Sequence, residues 1–327
     1  MATSYNTTRK LGIKKIYVLC WRGDVSLARI CVASIRHWYL DIPIYLIKDE
    51  KNGKFDTSSL EKCWDVKVFN NQTPFTYGIW TVLAPMLTPG KDKCLVIDAD
   101  IVFMGYVLDM LDESTEDFVI NVENKTEDVL VTDKFTHYNF NYHKLKELDP
   151  DYKFQGYTFN AGQIVFTEGK LQLDDLNGLV EYGSGPIINK YPEIFTLDDQ
   201  SLLIYILHKK EQLKKATIGK RKFMVWPKHE NQFISVEEIK NKKLEGAYIL
   251  HWAGICEFKY ISRMTYSNVL RYYNNLYYSR VNFSIYHRAI DILKLHYINL
   301  RRIQPRIPYL LGRKKMQMIK LIKTFYK

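Results

Sequence analysis

Cys94-Leu95-Val96-Ile97-Asp98-Ala99-Asp100-Ile101-Val102-Phe103 is the stretch on which the reading of the fold turns. An apolar run, introduced by the turn residues Pro89-Gly90-Lys91-Asp92, meets two carboxylates two positions apart and then becomes apolar again. A short apolar run behind a turn signal predicts a strand buried in a parallel sheet. Such strands end at the carboxyl edge, where open α/β folds form their ligand crevices. Two aspartates there cannot both be buried bare, because an unpaired buried charge costs several kcal/mol or more. A divalent cation or a water-filled cleft is the natural partner.

Upstream, Lys15–Cys20 predicts a first strand, Ser26 a cap for the helix Leu27–Tyr39, Pro43–Ile47 a second strand and Val66–Phe69 a third. A helix near Trp80–Leu87 precedes the Asp-x-Asp strand, and Tyr106–Leu111 opens another after it. Alternating strands and helices over about 120 residues predict an α/β chain with a parallel, nucleotide-binding type of sheet. The polar segment Asn121–Gln155 reads as a long functional loop with short helices. Three later landmarks follow. Phe159-Asn160-Ala161-Gly162 heads an apolar strand, Asp198-Asp199-Gln200-Ser201 opens the apolar helix Leu202–Leu207, and Tyr248-Ile249-Leu250 runs into His251-Trp252-Ala253-Gly254. Acidic residues suit a helix N-terminus.

The chain of 327 residues is 46% hydrophobic and 25% charged, which suits a globular core. Its net charge of +11 is unevenly placed. Residues 261–327 hold 14 Lys and Arg against one acidic residue, Asp291, while the rest holds 33 basic against 35 acidic residues. Five scattered cysteines without a Cys-x-x-Cys pair argue against a disulfide framework or zinc knuckle. The N-terminus lacks the apolar stretch of a signal peptide and no run is long enough to span a membrane, so the sequence reads as cytoplasmic.

Together the motifs resemble the retaining nucleotide-sugar glycosyltransferases of family 8, the group of glycogenin and the lipopolysaccharide galactosyltransferases. The resemblance covers roughly residues 13–256. Asp98-Ala99-Asp100 is similar to that family's Asp-x-Asp, Phe159–Gly162 to its Phe-Asn-(Ser/Ala)-Gly, Asp199-Gln200 to its Asp-Gln and His251–Gly254 to its His-x-x-Gly. The resemblance implies a GT-A type fold, a Rossmann-like mixed sheet with flanking helices over residues 1–260, followed by a basic helical segment over 261–327. It implies Mn²⁺ (or Mg²⁺) held by Asp98, Asp100 and His251, a donor set that suits an octahedral ion better than tetrahedral Zn²⁺. It implies a UDP-sugar donor contacted by Leu19, Cys20 and Trp21 at its nucleoside end. Asp98, Ala99, Asp100, Asn160, Ala161, Gly254 and Lys259 would contact the rest, with Gln200 and Asp199 as the catalytic pair. The expected reaction is hexose transfer to a glycan or lipid-linked saccharide with retention of configuration. Gln200 beneath the anomeric carbon suits front-side substitution better than a two-carboxylate scheme.

Two positions depart from the family pattern. Trp80, Thr81 and Val82 stand where a Lys or Arg is common, and Glu257 stands six residues after His251, with Lys259 two further on. Ile97–Val102 also resembles the first motif of haloacid-dehalogenase-like phosphatases, with Asp98 as nucleophile. That motif normally sits on the first strand, and no Gly-Asp-x-x-x-Asp partner follows here. The tail interleaves Arg and Lys with Tyr, Phe, Ile and Leu, and Met316–Lys323 reads as a further amphipathic piece. That composition suits an anionic membrane surface. A helical subdomain packed on the core, or a purely non-enzymatic basic module, are the other readings. Nucleic acid is not expected, since no nucleic-acid-binding signature is present.

Overall fold

The computed structural model describes residues 11–51, 53–183, 186–227, 234–254 and 260–303. The elements run β1 (Ile13–Trp21), α1 (Val25–Trp38), β2 (Ile44–Asp49), α2 (Ser58–Trp64), β3 (Val66–Val68), a 3₁₀ turn (Gly78–Val82), α3 (Leu83–Met86) and β4 (Lys93–Asp98). They continue with β5 (Ile101–Met104), α4 (Val107–Asp112), β6 (Phe118–Asn124), α5 (Asp133–Tyr138), α6 (Tyr142–Leu148) and β7 (Tyr157–Thr167). Then come β8 (Val180–Glu181), β9 (Ile188–Asn189), α7 (Asp198–Gln212), β10 (Ile218–Arg221), β11 (Met224–Val225), α8 (Val236–Lys240), β12 (Tyr248–His251), α9 (Ser267–Ser279) and α10 (Ser284–Ile303).

The main sheet has the order β10-β6-β7-β4-β1-β2-β3. β1 runs parallel to β2 and β4, as the apolar runs and helical crossovers predict, whereas β7 is inserted antiparallel between β4 and β6. A second sheet, β11-β12-β5, stands against the first. The chain passes from β4 to β5 through Ala99-Asp100 alone, so the Asp-x-Asp marks the step between sheets. That step carries both carboxylates to the carboxyl edge.

Apolar side chains fill both faces of the main sheet. On one face, α1 buries ten residues, and α9 adds Val269, Leu270, Tyr273, Tyr277 and Tyr278 to the same core. Trp38 ties the layers, its Nε1 donating to the Phe103 carbonyl (3.1 Å) and the Tyr273 hydroxyl (3.2 Å). The other face is covered by α3, α6 and α7, with Leu83, Leu145, Leu203 and Leu207 fully buried. Each such side chain contributes roughly 1.5–3 kcal/mol through its removal from water.

Several local expectations shift. Ser26 lies inside α1, and Asp24 holds the N-cap position. The segment 121–155 begins as the end of β6, whose apolar residues Phe118–Val122 continue a strand into the polar stretch. Only after Asn124 does it become the predicted run of short helices. The stretch near Trp80–Leu87 is half 3₁₀ turn and half α3. The basic tail is helical as far as Ile303, and Met316–Lys323 lies outside the described residues. No helix among the described residues is long and apolar enough to cross a membrane.

Candidate active site

β1, β4, β7 and the start of α7 open onto one cleft of about 570 Å³. Leu19, Cys20 and Trp21 line one end of it. The Trp21 indole folds back over Gly23, where any Cβ would come within 2.3 Å of the ring. Glycine at that turn therefore sets where the indole lies.

Asp98, Ala99 and Asp100 line the middle of the cleft. His251 reaches them from the second sheet, because β12 pairs antiparallel with β5 and sets His251 opposite Ile101. The Trp252 N–H also donates to the Asp100 carbonyl at 3.1 Å. His251 Nε2 stands 3.2 Å from an Asp100 oxygen and 3.4 Å from an Asp98 oxygen. The histidine is fully buried, yet neither ring nitrogen makes an aligned hydrogen bond to the described residues, and Asp100 Oδ1 is likewise buried without one among them. Burial opposes a charge on the imidazole, but Asp100 and Asp98 outweigh it and raise the group to about 9. One ligand atom from each residue lies within 4.8 Å of the others.

These residues fit a divalent cation. Two carboxylate oxygens and an imidazole nitrogen form a mixed O/N donor set of the kind Mn²⁺ or Mg²⁺ accepts. The backbone leaves room for the group as well. A Cβ on Gly162 would lie 2.3 Å from Asp98 Oδ2 and 2.6 Å from His251 Cε1, so only glycine lets β7 pass this close.

The remaining wall comes from β7 and α7. Gln200 is locked in place, its Oε1 accepting from Asn160 Nδ2 (3.1 Å) and the Ala161 N–H (3.3 Å). Its Nε2 donates to the Tyr138 carbonyl at 2.9 Å. Asn160 Oδ1 in turn accepts from the Gly162 N–H at 2.9 Å. Burial raises the Asp199 carboxyl well above the usual range; the Gln200 N–H works against this, and the Asp98 and Asp198 charges add to it. Asp199 is half-buried and opens to the cleft. Asp198 adopts a left-handed φ of 35° where the chain turns into α7.

Leu19, Cys20, Trp21, Asp98, Ala99, Asp100, Asn160, Ala161, Asp199 and Gln200 thus share one cleft, with His251 behind it. Gly254, in a left-handed turn at φ 77°, is not among the residues that line it. Lys259 lies outside the described residues. Where the family pattern carries a Lys or Arg before the Asp-x-Asp, Thr81 and Val82 line the cleft and Trp80 is buried. Sequence reasoning missed Asp24, Asp49 and Ile79, which also line the cleft, and Trp226, whose ring stacks on His251. The end of β2 and the turn after β1 are the places a parallel sheet offers to a ligand, and that signal points to Asp49 and Asp24.

No protein-family model and no curated protein sequence matches the chain. Among solved structures it is similar to the bifunctional glycosyltransferase WbbM in its apo form, at 12% identity and a TM-score of 0.51, over 84% of this chain and 52% of that one. It is also similar to the galactosyltransferase LgtC in complex with donor and acceptor sugar analogues, at 9% identity and a TM-score of 0.48, over 82% and 96% of the two chains. A third structure is the glycosyltransferase GlyE of Streptococcus pneumoniae TIGR4, at 12% identity and a TM-score of 0.45, over 80% and 60%. The chain spans about half the length of WbbM. At such identities the likeness is one of fold. The chain has the GT-A type fold, a mixed central sheet with flanking helices. A haloacid-dehalogenase-like arrangement does not match it, because β4 comes after three other strands and Asp98 faces Asp100 and His251.

Proposed function

We propose that this chain is a metal-dependent glycosyltransferase that moves a hexose from a UDP-sugar to a glycan or lipid-linked saccharide with retention of configuration. One observation carries the reading: Asp98, Asp100 and His251 converge beside a cleft into which Gln200 is held by three hydrogen bonds. Asp98, Asp100 and His251 would hold Mn²⁺ or Mg²⁺, which as a Lewis acid neutralises the departing nucleoside diphosphate. Trp21 offers its ring to the nucleobase beside Leu19 and Cys20. Asn160 and Ala161 fix the side of the sugar that faces β7. Gln200, an amide that cannot easily form a covalent intermediate, supports developing positive charge at the anomeric carbon, and Asp199 orients the sugar. Screening UDP-sugars for metal-dependent release of UDP, with the product anomer read by NMR, tests this. Release that ignores EDTA removes the metal role, and an inverted anomer removes the mechanism.

The acceptor side belongs to the same proposal. α10 turns Asp291, the one acid of residues 261–327, inward onto Arg29 and the Tyr278 hydroxyl. Phe283, just before it, and Ile285, Tyr286, Ile292, Leu293 and Tyr297 on it stay exposed. An apolar outer face within a basic segment suits peripheral attachment to an anionic leaflet, at the cytoplasmic side where a lipid-linked acceptor would be met. Binding to phosphatidylglycerol vesicles that weakens with salt supports the attachment, and equal binding to neutral vesicles opposes it.

A further inference from the structure

Metal-binding histidines are normally aimed by a hydrogen bond from the nitrogen that does not touch the ion. Among the described residues His251 has no such partner, since its Nδ1 is buried and unbonded. Something else must hold the ring. β11 and β12 run parallel, with Val225 opposite Leu250, so the next position along the ladder sets Trp226 beside His251. The two rings stack with centroids 5.3 Å apart and planes 22° from parallel. Trp226 is half-buried, so its ring has one side committed to the imidazole without being part of the deep core.

We infer that Trp226 is the positioning residue for His251, orienting the imidazole toward the metal by ring stacking where a hydrogen bond would ordinarily serve. The inference rests on the metal reading of Asp98, Asp100 and His251. Stacking fixes the plane of the imidazole. Which nitrogen faces the ion is decided by Asp98 and Asp100, because only Nε2 stands at ion-pair distance from their oxygens. The division of labour predicts tolerance of any flat aromatic ring at position 226 and intolerance of an aliphatic one. Loss of an outer-shell partner typically weakens metal binding about 10- to 100-fold.

Manganese titrations of the full-length chain, followed by the EPR signal of free Mn²⁺, test this without any substrate. Trp226→Leu should weaken Mn²⁺ binding about tenfold or more and reduce the ¹⁴N coupling of bound Mn²⁺ in pulsed EPR. Trp226→Phe should restore both to near wild type. Asp100→Asn serves as the reference for the site itself. If Asp100→Asn loses Mn²⁺ but Trp226→Leu binds as tightly as wild type with its nitrogen coupling intact, the inference fails and the metal site stands. If neither substitution changes binding, the site fails and the inference falls with it. Should Trp226→Leu not fold, Trp226→Met makes the same comparison, keeping bulk without a ring face.

Discussion

The two edges of the main sheet handle charge in opposite ways. At the amino edge, Lys15 on β1 meets Asp92 at 2.9 Å and Glu168 at 2.8 Å, and Cys94 Sγ points to the same Glu168. Burial opposes the Lys15 charge, but its bonds to Glu168 and Asp92 raise its pKa all the same. Nothing there asks for a ligand. At the carboxyl edge six aspartates, Asp24, Asp49, Asp98, Asp100, Asp198 and Asp199, line one cleft, and no Lys or Arg lines it among the described residues. The same strands thus end in a closed ion cluster at one edge and in an excess of negative charge at the other. The lesson is that buried charge alone does not mark a site; like charges gathered on one open cleft do.

Four changes would break or sharpen that contrast. The largest effect is expected from Gly162→Ala, whose Cβ enters the space between Asp98 and His251. Transfer should fall about 1000-fold, the scale of losing several kcal/mol of metal stabilisation. Mn²⁺ binding, read by EPR, should fall with it while the far-ultraviolet circular dichroism stays native. Next, Gln200→Ala removes the locked amide. Turnover should drop about 100-fold with donor affinity nearly unchanged, since the contact matters as charge develops. A comparable loss in both constants would make Gln200 a ground-state contact.

At the opposite edge, Lys15→Met leaves Glu168 buried beside Asp92 without its cation. Stability should fall by about 2 kcal/mol in urea unfolding, because removing one partner strands the other. Turnover per folded molecule should be unchanged, and a loss of turnover would show that the two edges are coupled. At neutral pH the smallest change concerns His208, buried on α7 with Nδ1 2.7 Å from the Tyr152 hydroxyl. Burial lowers it to about 3, so the folded state holds it neutral. Its contribution is complete above the unfolded value near 6.5 and is lost as pH falls from there toward 3, at about 1.4 kcal/mol per pH unit. His208→Gln should flatten that part of the acid limb in thermal melts, separating it from acid effects at either edge.

Much of this was legible in the chain. The apolar runs leading to Cys20 and Asp98 read as buried strands, and Asp198-Asp199 as the acidic start of a helix. It was the resemblance to family 8, carried by the order of the motifs, that implied Asn160, Gln200 and His251 near the Asp-x-Asp. What stayed hidden depends on pairing across distance. Periodicity does not say that β7 runs antiparallel between β4 and β6, and so it does not single out Gly162. Trp226 reads as an ordinary aromatic until β11 and β12 are set in register. Ser26 looked like a cap by type, but the turn at Trp21–Asp24 starts the helix earlier.

The pairing of β12 with β5 has a consequence for how the protein matures. The two aspartates are made early in synthesis and the histidine late, so a nascent chain stopped before Tyr248 holds Asp98 and Asp100 without the histidine that converges on them. The meeting of these three side chains thereby becomes a report on completed folding, since Asp98 and Asp100 face His251 only once β12 has paired with β5.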